Sequence, residues 1–370
     1  MTDSRPVLFV TNYAPPARVG AFALLSERES VEFALFGGRL RHGGREPADL
    51  PFPHRRIAQR EADTLAAGGG YRAVVCGTVG RTALPAAYLG ARRAGVPFVL
   101  WATLWAQPMG PAGLIGYPLL RWIYSHADAV ATYGPHVSAY VRARGARRVH
   151  EAPQAVDNHF WRTDVGSAAD ARHAGFQVLF AGRLAREKGV QVLLQAWRST
   201  GLRPPDAALV LAGAGPEAAD AASVDAVVMP GELDQAGLRN FYAASDVVVM
   251  PSIPTRTFRE PWGLVANEAM NQGTPVIATD AVGAVAGGLV RDRRNGLVVP
   301  AGDPAALASA VLRLRDPALR ARLGAAARAD VDAYDHGAWA EGFSRALADA
   351  GASAASIPAR NRARGAGLIP

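Results

Sequence analysis

One cysteine, Cys76, occurs among 370 residues, so no disulfide framework can form within the chain. It lies in the apolar run AVVCG, where a thiol ordinarily serves as inert packing. Lysine is almost missing: 39 of the 40 basic residues are arginine, and Lys188 is the exception. A lone lysine either marks a site that needs a compact ammonium or is retained by chance. No apolar run reaches about 18 residues, the length of a helical membrane span. The opening MTDSRPVLFVTN has no basic stretch followed by a long apolar one, and the expectation is a soluble, cytoplasmic protein. No His/Cys cluster has metal-ligand spacing and no Asp-x-Asp stands at a strand end, so no metal site is expected.

What is present is charge, unevenly placed. Residues 1–155 hold 18 Arg against 10 acids (+8), residues 156–345 hold 19 basic residues against 21 acids (−2), and the remainder adds +2. A basic first half fits an anionic partner, whether phosphorylated substrate, membrane surface or nucleic acid. Arginine-rich coding bias explains the same numbers.

The chain is long for one domain, and two is the natural division. Short apolar runs alternate with helical stretches: Val7–Thr11, Val31–Phe36, Ala73–Cys76, Pro97–Trp101, Ala129–Tyr133 and Arg148–Ala152 in the first half. Gln177–Ala181, Ala208–Ala212, Val224–Met229, Val247–Met250, Pro275–Thr279 and Gly296–Val299 follow in the second. This pattern predicts βαβ units on parallel sheets. We expect a Rossmann-like domain over 1–155, a second over 156–345, and a helix end with a mobile tail over 346–370. The connection is APQAVDNHFWRTD, residues 152–164. Ligands on such sheets gather at the carboxyl ends of strands, which directs attention to loops 12–20, 102–112, 182–188, 213–217, 229–232 and 251–263.

Four strand-end segments could carry chemistry. In FAGRLAREKG a strand ends at Gly182, and Arg183 and Lys188 stand before a helix start, a good setting for phosphate or for ordinary solvated charge. LAGAGPE has two glycines of a dinucleotide fingerprint but not the third, so a tight turn is the simpler reading. VVMPGEL offers backbone groups and Met229 to a flat base, or is a plain turn. EPWGLVANEAMNQGTPVIATD reads as loop, helix over Gly263–Gln272, glycine stop and buried strand, with Glu260 and Glu268 on either side of the helix start.

Taken in order, GRLAREKG, GAGPE, MPGELDQAGLRNFYAASDVVVMPS, EPWGLVANEAMNQGTPVIATDAVG and NGLVVPAGDPAALASAV resemble the family 4 glycosyltransferases. The resemblance covers most of residues 177–345. It implies the GT-B fold, two Rossmann-like α/β domains facing across a cleft, with the acceptor side first and the nucleotide-sugar side second. It implies that Arg183 and Lys188 hold the donor diphosphate beside Gly182. Glu260 would take hydroxyls of the transferred sugar and Glu268 those of the ribose. Backbone N–H groups of Gly263, Leu264 and Val265, after Trp262, would meet the phosphates. Val228 to Gly231, with Met229 and Pro230, would line the base. The loop at Val19 and Gly20 would approach the phosphates from the first domain. Arg183, Lys188 and Glu260 are thus the expected catalytic residues.

One departure stands out. Where many members have a histidine after the fourth strand of the first domain, this chain has PFVLWATLWAQP, with Trp101, Thr103 and Trp105 in its place. His126, His136, His150 and His159 have ordinary structural readings.

The expected activity is transfer of a sugar from a nucleoside-diphosphate sugar to an acceptor hydroxyl, with retention and without a metal or cofactor. Preorganised donors would stabilise charge growing on the leaving phosphate. The acceptor is a natural product or a lipid-linked or surface glycan; peripheral contact with the inner membrane face and a monomer or homodimer are both open. A GT-B epimerase or phosphorylase is the alternative. A glycosidase needs carboxyls about 5–5.5 Å or roughly 6.5–9.5 Å apart, whereas eight helical residues would span about 12 Å. Nucleic-acid binding lacks any motif.

Overall fold

The protein was analysed as a computed structural model, which describes residues 4–37, 49–80, 82–166, 168–222, 224 and 226–353. The tail expected beyond 353 and the stretch 38–48 lie outside them. In the first half, strands β1 (Val7–Thr11), β2 (Val31–Leu35), β3 (His54–Arg56), β4 (Ala73–Gly77), β5 (Phe98–Ala102), β6 (Ala129–Thr132) and β7 (Val149–Glu151) form one parallel sheet. Its order is β3-β2-β1-β4-β5-β6-β7. In the second half, β8 (Phe176–Ala181), β9 (Ala207–Ala212), β10 (Val227–Gly231), β11 (Val247–Met250), β12 (Val276–Thr279) and β13 (Gly296–Val299) form another. Its order, β10-β9-β8-β11-β12-β13, repeats the design. These are the two Rossmann-like sheets expected.

The apolar runs become central strands because helices cover both faces of each sheet. In β1, Val7 and Phe9 enter one core, while Leu8 and Val10 enter the opposite one. In each half the first strand lies where the strand order reverses, between β2 and β4 and between β9 and β11. A ligand crevice forms at that switch point. Cys76 is buried in β4, and burial pushes its thiol up, as inert packing requires.

Three features differ from the sequence expectation. The first is the loop expected over 12–20. A helix begins at Pro16 and runs to Glu29, with proline in its first turn. Its face of Arg18, Ala21, Phe22 and Leu25 is buried, and Gly20 is therefore inside a helix.

The second is the final helix, His336–Asp349, which was assigned with the second half as far as 345. It packs on the first. Asp335 caps it by accepting from Ala338 N–H. Trp339, Phe343 and Leu347, spaced four apart, enter the core of β1. The Trp339 ring lies 5.6 Å from Phe22 and 5.9 Å from Trp101, and Phe343 lies 5.4 Å from Phe9. A Cβ on Gly342 would come within 2.2 Å of the Glu151 carbonyl oxygen, so the helix backbone rests directly on β7. The third is β3, a short edge strand with no apolar periodicity to betray it.

Trp339→Ala is expected to cost about 3–5 kcal/mol, read as a lower midpoint of denaturant unfolding. An unchanged midpoint would remove this helix from the first core.

Candidate functional site

The segment after β8 turns back tightly against two neighbouring loops. Leu184 N–H donates to Ala214 O at 2.8 Å, and Glu217 N–H to Leu184 O at 3.0 Å. A Cβ on Gly213 would come within 1.9 Å of Gly182 O, so glycine is required there. The turn Arg186–Lys188 is pinned to the end of β11, since Ile253 N–H donates to Glu187 O at 3.1 Å. Gly189 takes φ +72°, and a Cβ there would meet Pro251 O at 1.9 Å. Lys188 is thereby set beside the strand end that leads to Glu260.

The structure joins Lys188 and Glu260 directly. Lys188 Nζ donates to Glu260 Oε2 in a largely buried ion pair. Ser252 Oγ donates to the same oxygen at 3.3 Å, and the ammonium lies 5.6 Å from the centre of the Phe258 ring. Arg183 is exposed and pairs with Glu187, so it stands at the rim of the group.

Glu268 lies on the short helix Val265–Asn271. It is buried and accepts a 2.7 Å hydrogen bond from the Tyr242 hydroxyl. Burial pushes its carboxyl up to about 7, although the Tyr242 bond pulls the other way. Gly263, at φ +94°, makes the turn into this helix, and a Cβ there would meet Met250 Cε at 2.3 Å. The backbone N–H groups of Gly263, Leu264 and Val265 fall at the helix entrance, ahead of its internal bonding pattern. Val228, Met229, Pro230 and Gly231 form edge strand β10, with β9 between it and β8. That separates it from β8 by about 9–10 Å, a distance suited to a base whose phosphates sit at β8.

Two expected residues are placed differently. Gly20 does not join this group: a Cβ on it would meet the His336 ring at 2.7 Å, so its bare Cα accommodates the return of the final helix. Trp262 has a buried side chain whose Nε1 donates to Asn267 Oδ1 at 2.8 Å. Its ring serves packing, and its carbonyl accepts from Ala284 N–H at 2.8 Å.

Several residues around the site make contacts that the sequence did not reveal. Trp105 Nε1 donates to the Glu260 backbone oxygen at 2.9 Å, a bond from the first half to the second. The Arg259 guanidinium lies 3.8 Å over its ring. His136 lies between Trp105 and Trp262. Its Nε2 is 3.1 Å from Pro261 O, and a carbonyl only accepts, so Nε2 carries the proton. Burial lowers the His136 pKa, which keeps the ring neutral. Trp101, by contrast, is part of the first core, and Thr103 Oγ1 is 3.1 Å from Thr78 Oγ1. Arg18 is buried, stacks over Trp101 and Tyr133, and donates to Gln154. None of these contacts follows a sequence motif, because each joins segments far apart in the chain. Among the described residues, no group of three or more His, Cys, Asp or Glu could hold a metal ion.

The family description "Glycosyl transferases group 1" matches residues 175–316. A D-inositol 3-phosphate glycosyltransferase of Acidothermus cellulolyticus is 35% identical over 206 residues, 49% of this chain and 44% of that protein. A phosphatidyl-myo-inositol mannosyltransferase of Mycobacterium leprae is 36% identical over 167 residues, 44% of this chain and 43% of that one. The chain spans about half the length of such curated relatives. A crystal structure of Anabaena HepE in complex with UDP and glucose shares the fold, with TM-score 0.73 and 18% identity over 93% of this chain and 99% of that one. Sucrose-phosphate synthase from Thermosynechococcus elongatus gives 0.70 and 22% over 92% and 97%. The fold is GT-B.

The raised Glu268 pKa makes stability depend on pH. Its neutral form is favoured by the fold, so the contribution is full below the ordinary value of 4.5 and is lost as pH rises through about 7. Glu268→Gln keeps an acceptor for Tyr242 and cannot ionise. It is expected to unfold at a higher temperature than the parent at about pH 8, with the gap closing by about pH 5. Parallel pH curves would show that Glu268 does not titrate in this window.

Proposed function

We propose, because this chain belongs to the family 4-like glycosyltransferases, that it moves a sugar from a nucleoside-diphosphate sugar to an acceptor hydroxyl. The observation that carries the reading is the Lys188–Glu260 pair at the carboxyl ends of β8 and β11, with Glu268 one helix turn further along. A diphosphate beside β8 meets the Lys188 ammonium, the Arg183 guanidinium at the rim and the backbone N–H groups of 263–265. These donors are fixed before reaction and act where negative charge accumulates as the nucleoside diphosphate departs. Glu268 faces the ribose diol. Its carboxylate form accepts from both hydroxyls, so donor binding near neutral pH is accompanied by loss of its proton.

Glu260 has two tasks in this reading. It orients the ammonium through Oε2, and it presents Oε1 to hydroxyls of the transferred sugar. With both of its oxygens committed, it is a poor nucleophile. Front-face displacement with retention follows, the leaving phosphate taking the acceptor proton. The cations supply the charge neutralisation that a divalent ion would otherwise give, so turnover should survive chelation.

The first test is release of nucleoside diphosphate from candidate donors. Transfer requires acceptor, an epimerase does not, and a phosphorylase requires inorganic phosphate. Nuclear magnetic resonance of the product reads the anomeric configuration, and inversion would overturn the front-face step. Among variants, Lys188→Ala and Glu268→Ala should each weaken binding of the bare nucleoside diphosphate about 10–100-fold, the worth of a charge-assisted hydrogen bond. Glu260→Ala should leave that affinity equal or tighter, because it frees the ammonium, while turnover collapses. Equal loss of affinity in Glu260→Ala and Glu268→Ala would show the two glutamates are assigned wrongly.

A further inference from the structure

The helix Pro111–His126 is turned the wrong way round for a surface helix. Its inner side sends Ile123 and Tyr124 into the core on the opposite face of the first sheet, with Leu8 and Val10. Its outer side carries Leu114, Ile115, Leu119 and Trp122, which are 49, 82, 46 and 42% exposed. An ordinary surface helix puts charge on that face; PAGLIGYPLLRWIYSH has no Asp, Glu or Lys and one Arg, Arg121. Tyr88 of the neighbouring helix Ala83–Ala94 meets Trp122 edge-on at 5.0 Å, and Leu89 on that helix is 53% exposed. The two helices thus meet at Trp122, with Arg92 stacked over the other side of the junction on the Tyr88 ring.

The charge described around it is net positive. Arg92, Arg93, Arg121 and Arg144, the last 6.0 Å from the centre of the Tyr117 ring, stand against Asp63 and Asp128, which pair with Arg93 and Arg92, leaving +4 − 2 = +2. The surface also adjoins the candidate site. Just before the helix, Met109 N–H donates to Arg256 O at 2.7 Å, and Trp105 reaches Glu260.

We propose that this face docks on an anionic lipid bilayer, the helix lying in the interfacial plane with its apolar residues among the acyl chains. Amphipathic helices bind this way through apolar burial together with attraction of basic residues to anionic headgroups. An exposed tryptophan suits that boundary. Docking brings the junction beside Glu260 to the membrane, and the acceptor is then a hydroxyl carried on a lipid. That last clause rests on the transfer reading above; the docking does not.

The test is co-sedimentation of the full chain with vesicles of phosphatidylglycerol and phosphatidylcholine, against vesicles of phosphatidylcholine alone. The parent is expected to partition onto the anionic vesicles and to be released by salt. The double variant I115E/L119E should lose about ten-fold or more of that partition, and R121E should lose a smaller part. Both positions of the double variant are exposed, so its thermal midpoint and its nucleoside diphosphate affinity should match the parent, which separates docking from catalysis. Equal partition onto both vesicle types would overturn the proposal, as would partition that the double variant leaves unchanged. So would a parent that ignores vesicles and forms a dimer that the double variant dissociates, since the face would then belong to a second copy.

Discussion

Everything proposed for the site depends on Glu260 being held from three directions at once. Its side chain anchors the ammonium of Lys188 and accepts from Ser252, both in the second half. Its backbone oxygen accepts from Trp105 of the first half and from Gly283 N–H at 3.1 Å. A largely buried ion pair of this kind contributes little net stability, because desolvation offsets much of the attraction. What it fixes is position. The only lysine of the chain is kept compact, oriented and next to the strand end where phosphate chemistry would take place. A guanidinium is planar and larger than the ammonium held here beside Ser252 and Phe258. The arginine-rich composition makes that exception readable.

The second half was legible in the sequence because its site is local. Loops following β8 and β11 carry their functional groups within a few residues of a strand end, and the glycines that permit close backbone approach stand in the same segments. Gly182, Gly189 and Gly263 are each required by a positive φ or a contact that a Cβ would spoil. The first half was less legible because its decisive contacts are long-range. Gly20 looked like a phosphate-loop glycine, yet it serves His336, more than 300 residues away. The final helix has an ordinary apolar stripe that would suit either core; nothing local says that Trp339 belongs beside Phe22. His136 reads as structural, and in one sense it is, since its proton is spent on the Pro261 carbonyl. Its place between two tryptophans at the junction appears only when the halves meet.

That junction explains why the missing histidine does not leave a gap. Trp105 occupies the region where the resemblance leads one to look for it, and its indole N–H bonds the backbone of Glu260. The indole thereby ties the first half to the backbone of the residue that carries the Lys188 ion pair. Arg259 stacked over the same ring adds positive charge to the rim without entering the Lys188 slot.

The donor helix is clamped on its other side by the connection between the halves. Asn267 Nδ2 donates to Gln154 O at 3.1 Å, and its Oδ1 accepts from Trp262. Asn271 accepts from Arg162 at 2.7 Å and donates to Asn158 at 2.8 Å. Buried amides of this kind are costly unless every group is paired, and here each is paired with the connecting segment or with the loop bearing Glu260. Asn267 and Asn271 lie one turn apart on the helix that carries Glu268. The helix that carries Glu268 is therefore also fastened to the segment that connects the two halves. Any change in the angle between the halves must pull on residues 154–162, and through them on the helix that carries Glu268. The link is made of direct hydrogen bonds, with the Trp262 indole bonded to the same Asn267 that holds Gln154.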